Sequence, residues 1–266
     1  MQRHYLSLWL LLATAFAIFA VASAFEMPEI AGYKLKSSEI ADHLFAQHET
    51  LAEPADLLMD SLVEEIAEPE NIFPVPCDTA AQIILFIGDS MLEGLGPRLA
   101  AYAEKNGHTL YNVIWYSSTS AVWGQSDKLE KYIAQVKPTF IFVCLGANEL
   151  FVNDIAKKRD GFVKKIIADI GDIPYVWIGP PNWKADTGIN QLIDDNTPEG
   201  AFFLSNGMHF DRAKDGAHPT RTSAALWMDS VARWMPEHGL HPIRMDKPEN
   251  ASGRAKRIFV HQPNEK

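Results

Sequence analysis

The chain has 266 residues, of which 47% are hydrophobic, 22% charged and 11% aromatic. This composition is typical of a globular protein and excludes a wholly disordered chain, a collagen-like repeat and a disulfide-stapled miniprotein. The formal net charge of −10, without a basic stripe interleaved with aromatic residues, argues against a nucleic-acid partner.

Residues 1–24 have the pattern of an export signal peptide. A basic start containing Arg3 precedes an apolar run over residues 5 to 22, and the small residues Ala22 and Ala24 are typical of a cleavage site after Ala24. The run approaches the length of a membrane span, about 17 residues, so a retained N-terminal anchor is the alternative. With the signal cleaved, no stable membrane span is expected, and the pattern predicts a periplasmic or secreted protein.

Residues 25–80 form an acidic N-terminal extension, in which Lys34 and Lys36 are the only lysines or arginines. Apolar residues at helical spacing predict two short amphipathic helices, followed by a linker rich in proline. We expect no catalytic residue here. The segment is instead a candidate surface for a protein partner.

Cys77 and Cys144 are the two cysteines of the chain. Cys77 precedes the first predicted strand, whereas Cys144 lies near the end of another, so parallel neighbouring strands would place the two sulfurs near opposite edges of a sheet. A disulfide needs Cα atoms within about 7 Å. The sequence therefore predicts two unpaired thiols, with Cys144 as a buried apolar side chain.

Residues 81–240 alternate between apolar strands and amphipathic helices. Strands are predicted at 83–87, 110–116, 140–145, 175–178 and, more weakly, 201–204, and helices at 92–105, 127–136, 161–170, 189–195 and 220–235. Strict alternation predicts a three-layer α/β/α domain around a flavodoxin-like, doubly wound, parallel sheet of five strands. Residues 241–266 form a polar C-terminal tail without periodicity, which we expect to fray.

Three polar motifs follow strand ends or precede the last helix. Ser90 stands in Gly-Asp-Ser after the first strand, Asn148 in Gly-Ala-Asn after the third, and Asp215 lies three residues before His218. Taken singly, each motif has a structural explanation. Ser90 can be a helix cap, Asn148 a turn former, and the segment from Asp215 to His218 the turn that starts a helix. In a doubly wound sheet, however, the carboxyl ends of the strands meet at one edge. There, a carboxylate that holds a histidine can prepare it as a base for a nearby serine.

Together and in this order, the three motifs resemble those of the SGNH/GDSL hydrolases over about residues 83–235. The resemblance implies that Ser90 is the nucleophile, His218 the general base and later the acid, and Asp215 the residue that orients His218. It implies that Asn148 and the Ser90 N–H hold the oxyanion. No cofactor or metal is expected. His209 with Asp211 is a rival base pair.

The sequence departs from the family pattern at two positions. The family has a glycine whose N–H completes the oxyanion hole, and counting from the strand end puts Ser120 at that position, with Gly124 as the alternative. A serine N–H can serve where its φ is negative. Glu149 stands where the family usually carries aspartate, and we expect its longer side chain to change local hydrogen bonds rather than the chemistry.

Three aromatic residues in loops at strand ends, Trp123, Trp183 and Phe210, are candidates for binding substrate by stacking on sugar rings. Together with export, they favour the removal of O-acetyl groups from a cell-envelope or extracellular glycan, through an acyl-enzyme on Ser90. One alternative is an esterase of the same fold that acts on lipids or small esters. Another is a non-catalytic protein that binds glycans or assists assembly.

Overall fold

Six parallel strands form one sheet within residues 76–263, the part of the chain that this computed structural model describes. The strands are β1 (Ile83–Gly88), β2 (Thr109–Trp115), β3 (Phe140–Cys144), β4 (Tyr175–Ile178), β5 (Phe202–Phe203) and β6 (Arg257–His261), in the spatial order β5-β4-β3-β1-β2-β6. The predicted signal peptide and nearly all of the predicted acidic extension lie outside the described residues.

Helices cover both faces of this sheet: α1 (Leu92–Asn106), α2 (Ser120–Gly124), α3 (Lys128–Val136), α4 (Ile155–Ile170), α5 (Ile189–Asn196) and α6 (Arg221–His238). Ile84 and Phe86 of β1 pack in one core with α1 and α6, whereas Leu85 and Ile87 pack in a second core with α3, α4 and α5. A strand buried on both faces is apolar throughout, which explains the continuous run of β1. The predicted three-layer α/β/α architecture is confirmed.

The sheet has one strand more than predicted. The additional strand, β6, comes from the tail that we expected to fray, and it pairs in parallel with β2, with Ile258 opposite Asn112. The ladder continues at both ends, where the Lys256 N–H donates to the Leu110 carbonyl and the Tyr116 N–H to the His261 carbonyl. As an edge strand, β6 has only a short apolar run, residues 258–260, between Arg257 and His261, and this run was too short to predict a strand.

The segment between α6 and β6 crosses the outer surface of α1. The Gly253 N–H donates to the Pro97 carbonyl at 2.8 Å, and the Arg98 guanidinium donates to the Asn250 carbonyl. Arg98 also forms a buried ion pair with Asp229 of α6 at 2.7 Å. These contacts fix residues 239–256 against α1, where they form one wall of the cleft described below.

Both cysteines are unpaired, as predicted. Cys77 is exposed, whereas Cys144 is buried at the end of β3. Burial raises the pKa of the Cys144 thiol well above its ordinary value. Cys144 is therefore an apolar core side chain. Among residues 76–263, no helix combines the length and the apolarity that a membrane span requires.

Candidate active site

The end of β1 places Ser90 at the carboxyl edge of the sheet. A Cβ atom on Gly88 would lie 2.2 Å from the carbonyl oxygen of Cys144, so only glycine lets β1 end this close to β3. Ser90 follows in the turn that leads into α1. Within residues 76–263, the Ser90 N–H donates to no other group, so it is available to a ligand oxygen near the positive end of α1.

Ser90, His218 and Asp215 form a hydrogen-bonded chain. The Nε2 atom of His218 lies 2.7 Å from Ser90 Oγ, and its Nδ1 lies 2.8 Å from Asp215 Oδ2. The N–H groups of His218 and Ala217 donate to Asp215 Oδ1 and hold the pKa of Asp215 at about 2. Because an ionised carboxylate can only accept, Nδ1 donates to it, and a neutral imidazole then accepts the Ser90 hydroxyl at Nε2.

Arg212 holds the loop that carries Asp215 and His218. Its Nη1 donates to the Ala217 carbonyl at 2.8 Å, and its Nη2 to the carbonyls of Pro181 at 2.8 Å and Asn182 at 3.0 Å. The loop after β4 is thus tied to the backbone beside His218. The sequence analysis assigned no role to Arg212. Its acceptors are backbone carbonyls, which every residue has, so the types of the neighbouring residues could not reveal this contact.

Asn148 is tied to the loop of Ser90 through Asp89. The Asn148 amide donates to Asp89 Oδ2 at 3.2 Å and to the Ser118 carbonyl at 3.0 Å, and Asp89 Oδ1 accepts from the Met91 N–H at 2.9 Å. Asp89 is fully buried, and this burial raises its pKa to about 7. Both amide hydrogens of Asn148 therefore have protein acceptors, so its oxyanion role stays a prediction. Sequence reasoning missed Asp89.

The structure gives Ser120 a different role from the predicted one. Its N–H donates to Glu149 Oε2 and its hydroxyl to Glu149 Oε1, each at 2.8 Å. Glu149 is fully buried, and Arg159 Nε lies 2.6 Å from Oε1. Because this buried carboxylate already takes the Ser120 N–H, Ser120 does not face a substrate, and Glu149 links α2 to α4 through Ser120 and Arg159. That its longer side chain alters the local hydrogen bonds rather than the chemistry stays a prediction.

The alternative residue, Gly124, lies at the end of α2 and packs on α4. A Cβ atom there would lie 3.0 Å from Phe162 Cβ and 3.1 Å from the Phe162 carbonyl oxygen. The absent side chain thus explains the close approach of the two helices.

Two of the three predicted substrate aromatics belong to the core. Trp123 is 0% exposed, with its ring edge-on to Trp115, and Phe210 is 7% exposed and edge-on to Trp227. Because both rings are buried in the core, neither can stack on a sugar ring. The prediction that Trp123 and Phe210 bind substrate was therefore wrong. Trp183 is half-buried, and its Nε1 donates to the carbonyl of Ala147, next to Asn148. Its role in binding substrate stays a prediction.

The rival pair of His209 and Asp211 lies on the surface. His209 Nε2 is 3.6 Å from Asp211 Oδ1, and the two side chains are 92% and 75% exposed. The imidazole that contacts Ser90 is that of His218. In the described part of the chain, no three or more His, Cys, Asp or Glu side chains are grouped as metal ligands.

An open cleft of about 770 Å³ contains Ser90 and His218. It runs along about the first two turns of α1, over Pro97 and Ala100. Asn112 of β2 and the crossing residues 253–255 also line it. The cleft is larger than an acetyl group requires and has room for a saccharide or another alcohol part of an ester.

No known family model and no curated protein matches this chain. Among solved structures, it is similar to the psychrotrophic esterase EstA of a Pseudoalteromonas species, with 19% identity and a TM-score of 0.41 over 57% of this chain and 97% of that one. It is similar to TesA, with 18% identity and a TM-score of 0.44 over 56% and 96%. A third is a lipolytic protein of the G-D-S-L family from Desulfitobacterium hafniense, with 15% identity and a TM-score of 0.38 over 56% and 97%.

Proposed function

We propose that this chain is an exported serine ester hydrolase of the SGNH/GDSL type. The observation that carries the proposal is the chain of hydrogen bonds from Asp215 through His218 to Ser90. An aligned nucleophile, base and orienting carboxylate are the parts that acyl transfer through a serine requires. The order of the Gly-Asp-Ser, Gly-Ala-Asn and Asp-x-x-His motifs along the chain supports the same family.

The reaction begins when Ser90 Oγ attacks the ester carbonyl carbon while His218 Nε2 takes the hydroxyl proton. The tetrahedral intermediate collapses, the bond from carbon to the alcohol oxygen breaks, and the imidazolium returns its proton to the leaving alcohol. Water then attacks the acyl-enzyme with His218 again as the base, which releases the acid and restores Ser90. Asp215 stays ionised throughout and stabilises the imidazolium.

The oxyanion is held first by the Ser90 N–H, which is available at the start of α1. Asn148 is the second donor in this proposal. To serve, one of its amide hydrogens exchanges its contact with Ser118 or Asp89 for the oxyanion. The loss of one such donor in a serine hydrolase costs about a hundredfold or more in kcat.

The substrate in this proposal is an O-acetylated glycan of the cell envelope or the extracellular space. Glu93, Arg221 and Arg254 line the cleft, and charged walls favour an ester with a polar alcohol part over one with a long hydrocarbon chain. The exposed part of Trp183 offers a stacking surface beside the Asn148 loop. The signal pattern of residues 1–24 supports a periplasmic or secreted location, and the acidic residues 25–80 are proposed to contact a protein partner.

Acetate release from acetylated polysaccharides, together with a series of p-nitrophenyl esters of increasing acyl length, tests this function. A glycan acetylesterase releases acetate from polymer and prefers the acetyl ester, so its kcat/KM falls as the acyl chain lengthens. A maximum at long acyl chains would instead identify a lipid esterase. If the folded protein hydrolyses no ester, a non-catalytic glycan-binding protein is the better explanation.

A further inference from the structure

One part of the cleft has no role in the ester chemistry. We call it the alcohol arm, and we define it by Asn112, Arg221 and residues 253–255. It continues from Ser90 along α1, on the side where the crossing segment packs. In the proposed function the alcohol part of the ester is a saccharide, which needs more room than an acetyl group, so we assign the arm to the saccharide.

The charged side chains of the arm are not balanced. Glu93 and Asp215, the carboxylates of the same cleft, belong to its catalytic end, because Glu93 follows Ser90 by three residues and Asp215 contacts His218. The guanidinium groups of Arg221 and Arg254 have no ion pair with any residue in the range 76–263. Arg221 also opens α6, whose N-terminus carries partial positive charge. The arm therefore presents positive charge that an anionic ligand can neutralise.

We propose that this arm binds an anionic saccharide, with a carboxylate of the saccharide on Arg221 and Arg254. Guanidinium groups match the planar geometry of a carboxylate, which makes a uronic acid residue a suitable ligand. This inference rests on the proposed function, since it names the glycan class whose acetyl group Ser90 attacks. The natural substrate is then an acetylated acidic polysaccharide.

Calorimetric binding of an unacetylated oligogalacturonate to the full-length protein tests the arm without any catalytic step. The wild type binds, and the double variant Arg221→Gln/Arg254→Gln binds about tenfold more weakly or worse, because charge-assisted hydrogen bonds are lost. The matched control is Arg233→Gln, an exposed arginine farther along α6, which keeps the wild-type dissociation constant. No binding by the wild type, or equal binding by the double variant, overturns the inference.

Acetate release then separates the inference from the function. We compare O-acetylated polygalacturonate with the same polymer after methyl esterification of its carboxylates. The wild type prefers the anionic polymer, and the double variant loses most of this preference. Equal rates on both polymers overturn the inference and leave the esterase intact. If neither polymer nor p-nitrophenyl acetate is hydrolysed, the proposed function fails, whatever the binding result.

Discussion

The Nε2 atom of His218 lies 2.7 Å from the hydroxyl oxygen of Ser90, although the two residues are 128 positions apart in the sequence. For this contact to prepare the nucleophile, the imidazole must be neutral, because a protonated imidazole cannot take the hydroxyl proton. We predict that kcat/KM falls at least about tenfold between pH 8 and pH 5. Asp215, with a pKa of about 2, remains ionised over this range.

A pH series with p-nitrophenyl acetate as substrate measures this fall. Protein integrity at each pH is checked by returning samples to pH 8 and confirming that their activity recovers. A profile that stays flat down to pH 4 would contradict the assignment of His218 as the general base.

Arg212 acts in this account as a positioning residue, because it reaches the active-site loop only through backbone carbonyls. Arg212→Lys keeps the positive charge but cannot reproduce the planar set of donors. We predict a fall of about tenfold in kcat with little change in KM, since a small displacement of His218 affects the chemical step. Arg233→Lys, on the exposed surface of α6, is the control. Equal kcat values for the two variants would show that Arg212 has no positioning role.

The buried carboxylate of Glu149 accepts hydrogen bonds from Ser120 and Arg159. Glu149→Gln leaves Arg159 without its charge partner, so we predict a loss of about 3 kcal/mol in the free energy of unfolding. The control is Asp127→Asn, which breaks an exposed ion pair with Lys131 and should leave stability unchanged within error. Urea denaturation measures both variants. Similar losses in the two would mean that burial adds nothing to the Glu149 contacts.

Asp89 makes stability depend on pH. Burial raises its pKa from 3.8 to about 7, so between these values the folded protein binds a proton that the unfolded chain has released. Its contribution to the free energy of unfolding is therefore fully present below pH 4 and is lost as the pH rises through 7. Asp89→Asn removes this titration, so we predict that the variant gains roughly 2 to 4 kcal/mol relative to the wild type between pH 4 and pH 8.

Denaturation curves at several pH values measure that difference. The comparison uses the slope with pH and not the stability at one pH, because the substitution also alters the hydrogen bonds to Asn148 and Met91. Parallel pH profiles for the two proteins would show that Asp89 is ionised in the folded state across this range.

The sequence predicts the sheet best where strands are buried on both faces. The apolar runs of β1 and β3 define these strands almost to the residue, because burial on both sides permits only apolar side chains. By contrast, β6 is largely exposed, and its apolar run is only the three residues 258–260 between Arg257 and His261, too short to distinguish a strand from a surface loop. The helix α2 has five residues, too few to show helical periodicity.

The same distinction applies to the site. Ser90, Asp215 and His218 could be predicted because their chemistry depends on residue type and order along the chain. Whether an aromatic residue such as Trp123 lies at a rim or in the core depends on what packs against it, which residue type does not specify. The partner of a backbone N–H, as in Ser120, likewise depends on tertiary contacts that spacing cannot reveal.

The most direct test of the central claim is covalent labelling by a fluorophosphonate, followed by mass spectrometry of the adduct. An activated serine forms a bond from its oxygen to phosphorus and displaces fluoride, whereas ordinary serines do not react. We predict one adduct, located on Ser90, and none in Ser90→Ala, while Ser230→Ala on the outer part of α6 labels like the wild type. A folded wild-type protein that stays unlabelled, or a Ser90→Ala variant that labels equally well, would contradict the role of Ser90.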